Sequence, residues 1–230
     1  MQTIGLIGGM SWESSLAYYR LANELVKEER GDPHSAKIVM YSVDFAEFKR
    51  LQHRGEWQLL TTKMIDIADK LETAGADMLL ICANTMHLMA PQIQEKTTIP
   101  LLHIADATAA AIKAEGLEVA GLLGTRFTME KDFYRTRLAD KHGIEVVVPD
   151  LPERKTVHEI IYKELISGIV RQESRDKLTD IIKDLKANKQ AEGIILGCTE
   201  LPMLTTDIDF SLPLFNTMEL HVRKAVNRAL

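Results

Sequence analysis

Two cysteines, Cys82 and Cys198, are the residues in this sequence whose type and placement most directly suggest chemistry. Each follows an apolar run of strand length, in "DMLLICANTMH" and "EGIILGCTELPM". A thiol has a reference pKa of about 8.5, and that pKa falls near the N-terminus of a helix. It can therefore give or take a proton near neutral pH. Two thiols on opposite faces of a carbon next to a carboxylate would allow inversion of that carbon.

The two cysteines occupy equivalent places in an internal repeat. The segment "GLIGGMSWESSLAYYRLA" resembles "GLLGTRFTMEKDFYRTRLA", and the repeat spacing is 116 residues. The same spacing relates Gly8 to Gly124 and Cys82 to Cys198. Two similar α/β halves are the simplest interpretation. A free cysteine is also a common core residue, so either thiol taken alone could be packing.

The elements that must position these residues alternate between apolar strands and helix-period segments. The pattern predicts strands at 3–8, 36–44, 77–82 and 99–104 and helices at 14–29, 57–75 and 86–96, and it continues through the second half. Fully apolar strands separated by helices indicate parallel sheets covered on both faces. The predicted fold class is α/β, with two similar subdomains related by internal pseudo-symmetry.

Polar clusters follow four of the predicted strands, at 8–14, 82–87, 124–128 and 197–200. Ligands of open α/β sheets bind beyond the carboxyl ends of the strands. If the two halves face each other, all four clusters line one cleft. Helix N-termini favour anions, so a carboxylate is the expected ligand.

Composition excludes several other classes of protein. The chain has 230 residues, 46% of them hydrophobic, and a net charge of −5. It has no long basic block for nucleic acid, no apolar run of membrane-span length and no signal-peptide pattern. Two cysteines favour free thiols in a reducing cytoplasm. The glycines at 5, 8 and 9 do not make a dinucleotide fingerprint, and the histidines show no helical ligand pair for zinc. The proposed chemistry needs neither cofactor nor metal.

These motifs resemble the aspartate/glutamate racemase family, whose members work without a cofactor. "LLICANTMH" is similar to its first signature and "IILGCTELPML" to its second, while "GLIGGMSWES", "HIADAT" and "LLGTRFTME" resemble the broad-specificity amino-acid racemases. The resemblance covers essentially the whole chain. It implies a homodimer of two-subdomain chains with the active site in the cleft, the first subdomain being 1–103 plus 213–230 and the second 104–212.

The resemblance also implies roles for individual residues. Cys198 is the intact second catalytic thiol, but Ala83 occupies the first catalytic position and Cys82 precedes it by one residue. The residues expected to bind the substrate are Met10, Ser11, Gln52, Ala83, Asn84, Thr85, Thr125, Lys163 and Thr199. Among these, Gln52 and Lys163 are candidates for the substrate side chain, and Lys163 would suit an acidic one.

The leading hypothesis is a racemase that inverts the α-carbon of an amino acid by proton transfer at Cys198 and Cys82. One alternative is a one-thiol enzyme that exchanges, decarboxylates or isomerises related carboxylates. Another is a catalytically silent amino-acid binder, which Ala83 favours because its methyl group carries no transferable proton. The expected partners are a small amino-acid substrate and a second copy of the chain, with no nucleic acid and no membrane.

Overall fold

A computed structural model of the protein describes residues 1–206 and 208–230. The chain divides into two compact units, one formed by Met1–Ile104 with His221–Leu230 and the other by Ala105–Leu220. Among the described helices, none is long and apolar enough to cross a membrane.

The first unit is built on a three-stranded parallel sheet. Its strands are β1 (Ile4–Gly8), β2 (Ile38–Ser42) and β3 (Met78–Ile81), in the spatial order β2-β1-β3. The helices that accompany them are α1 (Trp12–Arg30), α2 (Phe45–Arg54), α3 (Trp57–Thr73) and α4 (Ala90–Gln94), with a 3₁₀ turn at Thr85–Met89. Helix α3 buries Leu60, Met64, Ile67 and Leu71 at helical spacing, and these residues belong to the core cluster that contains Ile7, Leu79 and Ile81.

The second unit is built on a four-stranded parallel sheet. Its strands are β4 (Val119–Gly124), β5 (Glu145–Val147), β6 (Gly193–Gly197) and β7 (Leu214–Asn216), in the order β5-β4-β6-β7. The remaining helices are α5 (Ile104–Ala114), α6 (Arg126–Glu130), α7 (Asp132–His142), α8 (Leu151–Lys163), α9 (Gln172–Lys189), α10 (Pro202–Thr205) and α11 (Thr217–Ala229), with a 3₁₀ turn at Leu165–Ser167.

The predicted α/β class with two parallel sheets flanked by helices is confirmed. Every residue of β1, β3 and β6 is buried, as expected for parallel strands covered on both faces. Strand β1 is central in the first sheet with β3 beside it, and β4 is central in the second with β6 beside it. The two cysteines directly follow β3 and β6, so the repeat seen in the sequence is also a repeat of topology.

In the first unit, two predicted elements differ from the structure and one helix was not predicted. The strand predicted at 99–104 is reduced to one bridge between Leu79 and Leu101, next to Pro100, which lacks a backbone N–H. The helix predicted at 86–96 is split into the 3₁₀ turn and α4, where Pro91 lies in the first turn. Helix α2 was not predicted, although Asp44 caps its start and Gly55 its end.

The boundary between the units also differs from the predicted one. The prediction assigned 213–230 to the first subdomain, whereas β7 pairs with β6 in the sheet of the second unit. The Thr217 hydroxyl donates a hydrogen bond to the Leu196 carbonyl, also within the second unit. Only the part of α11 from His221 onward belongs to the first unit, where Gln2 N–H donates to the Ala229 carbonyl.

Candidate active site

The loop after β1 makes a tight turn that only glycine can form. Gly9 has φ +91°, and a Cβ placed there would lie 2.3 Å from the Val43 carbonyl oxygen. The turn brings the chain to Met10 and to Ser11, whose hydroxyl caps α1 by accepting from Ser14 N–H at 3.2 Å. Both predicted substrate-binding residues of this loop are buried.

The loop after β3 carries Cys82, which lies beyond the last residue of the strand in a bend. Its N–H donates to the Ile7 carbonyl at 2.9 Å, and its own carbonyl accepts from the Ser14 hydroxyl at 2.9 Å. The side chain of Cys82 is 0% exposed, whereas Ala83 is partly exposed. Burial raises the pKa of the Cys82 thiol well above its ordinary value, so this group is a neutral thiol at physiological pH.

The other predicted binding residues of the first unit cluster around this loop. Asn84 and Thr85 are buried directly after Ala83. Gln52 is buried on α2, and its side-chain amide donates to the sulfur of Met86 at 3.8 Å. The first unit therefore brings Gln52 close to the Asn84–Thr85 segment. Likewise, the hydrogen bond from Ser14 brings the start of α1 close to Cys82.

The site in the second unit is centred on Cys198 and Glu200 at the end of β6. The Cys198 thiol donates to the Glu200 carboxylate at 2.9 Å, and the Thr199 hydroxyl donates to the same oxygen at 2.8 Å. All three residues are partly exposed. A carboxylate that accepts from a thiol is placed to take that proton.

The environment of Cys198 favours the protonated thiol. Burial is the main factor that raises its pKa well above the ordinary value, followed by the negative charge of Glu200 and the hydrogen bond to it. The backbone N–H groups of Thr199 and Glu200 act in the opposite direction, because they donate to the sulfur and stabilise a thiolate. The site thus holds a resting thiol and contains the groups that would stabilise its anion.

Thr125, predicted from the matching loop of the repeat, follows β4 and caps α6. Its hydroxyl accepts from Thr128 N–H at 3.4 Å. Strands β4 and β6 approach closely at this end, since a Cβ on Gly124 would lie 3.0 Å from the Gly197 carbonyl oxygen. Thr125 and Cys198 therefore follow neighbouring strands at the same edge of the sheet.

Lys163 is exposed at the end of α8. Its side chain is 69% exposed and pairs with Glu159 at 3.0 Å, one turn earlier on α8. The preceding residue, Tyr162, interacts electrostatically with the cysteine site. Its pKa is raised to about 12, chiefly by burial and then by electrostatic interactions with Cys198 and Glu200. Its ring also lies 4.5 Å from that of His158.

Sequence reasoning gave no individual role to three of these residues, although Ser14 and Glu200 lie in the predicted polar clusters at 8–14 and 197–200. Glu200 could have been found, because it follows the Cys-Thr pair directly in "GCTE". Ser14 and Tyr162 carry no such signal, since their relation to the cysteines depends on how α1 and α8 pack.

Two solved structures are similar to this chain over its full length. A candidate Asp/Glu racemase from Yersinia pestis is 49% identical with a TM-score of 0.93, and the match covers 100% of this chain and 99% of that one. An aspartate racemase homologue from Pyrococcus horikoshii OT3 is 35% identical with a TM-score of 0.87, with the same coverage.

Curated relatives and the family model agree with these structures. The broad specificity amino-acid racemase RacX of Bacillus subtilis is 25% identical over 73% of this chain and 71% of its own length. A glutamate racemase of Actinobacillus pleuropneumoniae is 26% identical over 76% of this chain, which spans only 64% of that relative. The Asp/Glu/Hydantoin racemase model matches residues 7–225. The chain belongs to the Asp/Glu/Hydantoin racemase family.

Proposed function

We propose that this protein is a cofactor-independent amino-acid racemase that uses Cys198 as the acid/base on one face of the α-carbon. The observation that carries the proposal is the hydrogen bond from the Cys198 thiol to Glu200. Glu200 would accept the thiol proton, and the thiolate would then take the α-hydrogen of the substrate as a proton. The electron pair left behind would be delocalised into the substrate carboxylate, where N–H and hydroxyl donors stabilise it.

Inversion requires a proton from the opposite face, and Cys82 is the thiol available in the first unit. Burial keeps the Cys82 thiol protonated, so in this scheme it would give a proton and not take one. We propose that Asn84, Thr85, Thr199, Thr125 and the loop at Met10 and Ser11 bind the amino and carboxylate groups. Gln52 would contact the substrate side chain. The exposed ion pair of Lys163 with Glu159 weakens the case for Lys163 in that role.

Incubation with single enantiomers of common amino acids in D₂O tests this function. Circular dichroism reports inversion, and mass spectrometry reports deuterium at the α-carbon. We expect inversion and deuterium incorporation from the wild type and neither signal from Cys198→Ser. Cys82→Ser should incorporate deuterium without inversion. Absence of both signals from the wild type with every amino acid would rule the proposal out.

A one-thiol exchanger is the second candidate, and Ala83 together with the full burial of Cys82 favours it. In that case the wild type would incorporate deuterium into one enantiomer without inverting it. Ala83→Cys would then add a thiol at the family's first catalytic position, and inversion should appear. Thermal stabilisation by an amino acid without exchange would instead support a silent binder.

We also propose a homodimer in the cytoplasm. The first unit exposes large apolar side chains on one face of α1, namely Trp12, Leu16 and Tyr19. Such a patch is typical of a protein–protein interface. The cytoplasmic location is supported by the two free cysteines, Cys82 and Cys198.

A further inference from the structure

Two consecutive carbonyl groups at the end of β3 are each held by a side chain. The Cys82 carbonyl accepts from the Ser14 hydroxyl at 2.9 Å, and the Ala83 carbonyl accepts from the imidazole of His87 at 2.9 Å. Ser14 and His87 are both buried. These two peptide planes flank Ala83, so they fix the Ala83 side chain and the position from which the chain continues into Asn84 and Thr85.

The hydrogen bonds of His87 determine its tautomer. Its Nδ1 faces the Ala83 carbonyl oxygen, which can only accept, so Nδ1 carries a proton. Its Nε2 lies 3.3 Å from the backbone N–H of Ile104, which can only donate, so Nε2 carries none. His87 is therefore a neutral imidazole that links the loop after β3 to the start of α5.

Packing prevents the His87 ring from moving away. The ring is 0% exposed and lies 4.7 Å from the His103 ring and 5.5 Å from the His221 ring. His221 on α11 is itself held, since its Nε2 donates to the Leu102 carbonyl at 2.7 Å and its Nδ1 lies 3.0 Å from the Tyr18 hydroxyl. Helices α1 and α11 thus support the imidazole that holds the loop.

We infer that His87 is a positioning residue for the substrate-binding loop, with Ser14 as its counterpart on the preceding carbonyl. His87 does not reach the substrate; it acts by fixing the orientation of Asn84 and Thr85. This inference rests on the proposed function for the role of those two residues. It expects that losing the His87 hydrogen bond weakens substrate binding and leaves the chemistry at Cys198 unchanged.

Two substitutions of His87 separate the hydrogen bond from packing. In His87→Asn, the side-chain amide nitrogen occupies the place of Nδ1 and can still donate to the Ala83 carbonyl, although the smaller side chain leaves a cavity. His87→Leu fills the space better but has no donor. We expect KM to rise about tenfold in His87→Leu, the equivalent of about 1.4 kcal/mol, with kcat per folded molecule within about twofold of wild type. In His87→Asn, the KM should lie close to that of the wild type.

A matched control is His53→Leu. His53 makes the same kind of bond, from Nδ1 to the carbonyl of Lys49 four residues earlier at 2.7 Å, but on the exposed end of α2. It should leave KM and kcat unchanged. If packing alone mattered, His87→Asn would be worse than His87→Leu, and that order would overturn the inference.

Native-state hydrogen exchange gives a readout that does not depend on activity. Peptides covering residues 82–89 should exchange faster in His87→Leu than in wild type or His87→Asn, while peptides covering 193–200 should not change. If the wild type proves inactive, the proposed function fails and exchange alone decides the role of His87. Unchanged exchange of residues 82–89 in His87→Leu would overturn the inference in either case.

Discussion

At the scale of single residues, Glu200 adds to burial in keeping the Cys198 thiol protonated. Its negative charge and its hydrogen bond to the thiol both raise the pKa of Cys198. Glu200→Gln keeps the shape and removes the charge, so the pKa of Cys198 should fall. The rate of alkylation by iodoacetamide, measured against pH in a Cys82→Ser background, should show its inflection at correspondingly lower pH.

The control for this prediction is Glu159→Gln, which neutralises an exposed carboxylate on α8. It should leave the alkylation profile of Cys198 where it is in the parent protein. An unchanged profile in Glu200→Gln would mean that the carboxylate does not govern the thiol. Racemase activity of Glu200→Gln should fall as well, because the thiol loses the group that accepts its proton.

The sequence could predict those residues of the candidate site that directly follow a strand or occupy a matched position in the repeat. Cys198 and Thr199 come directly after an apolar strand. The repeat matches Cys82 to Cys198 and places Thr125 in the loop that matches the one after β1. It could not predict the hydrogen bonds that tune them. Those of Ser14 and His87 depend on packing between α1, the loop after β3 and α11.

At the scale of elements, periodicity located the strands because parallel strands are apolar on both faces. It did not resolve the connections beyond β3, where a proline shortens one strand and another proline divides a helix. Helix α2 went unpredicted because it is short and mostly polar, with Phe48, Leu51 and Gln52 as its buried residues. Its capping residues, Asp44 and Gly55, were the available signal.

The turn between β1 and α1 gives a prediction about stability. Gly9→Ala must accommodate φ +91° and a contact of 2.3 Å with the Val43 carbonyl. Gly75 has the same φ of +91° with nothing within 4 Å, so Gly75→Ala measures the conformational cost alone. We expect Gly75→Ala to lower the free energy of unfolding by about 1 kcal/mol and Gly9→Ala to lower it by several kcal/mol. Urea denaturation of both variants checks this, and equal losses would contradict the steric argument.

At the scale of the whole molecule, the exposed apolar face of α1 predicts self-association. Leu16 is 55% exposed, between Trp12 and Tyr19 on that face. Leu16→Glu would place a charge in the proposed interface on each copy, so the dimer should dissociate at least a hundredfold more readily. Leu151, 65% exposed at the start of α8, provides the control Leu151→Glu. Sedimentation velocity should show a dimer for wild type and control and a monomer for Leu16→Glu; a monomeric wild type would refute the proposed dimer.

The buried tyrosine of the second unit predicts how stability depends on alkaline pH. Tyr134 is 0% exposed, and its hydroxyl lies 3.2 Å from that of Thr108. Burial is the main cause that raises its pKa above the ordinary value of 10.0, so the folded protein keeps a proton that the unfolded chain loses. The contribution of this group to the free energy of unfolding is therefore fully present below its ordinary pKa of 10.0. It decreases as the pH rises further.

Tyr134→Phe removes that titration and leaves the other ionisable groups in place. Between about pH 10 and 11, the free energy of unfolding should fall less steeply in the variant, by up to about 1.4 kcal/mol per pH unit. Between pH 7 and 9 the two curves should be parallel, with the variant lower by about 1 kcal/mol because the hydrogen bond between Tyr134 and Thr108 is lost. Urea denaturation at each pH measures both slopes. Parallel curves above pH 10 would show that Tyr134 ionises as readily in the folded protein as in the unfolded chain.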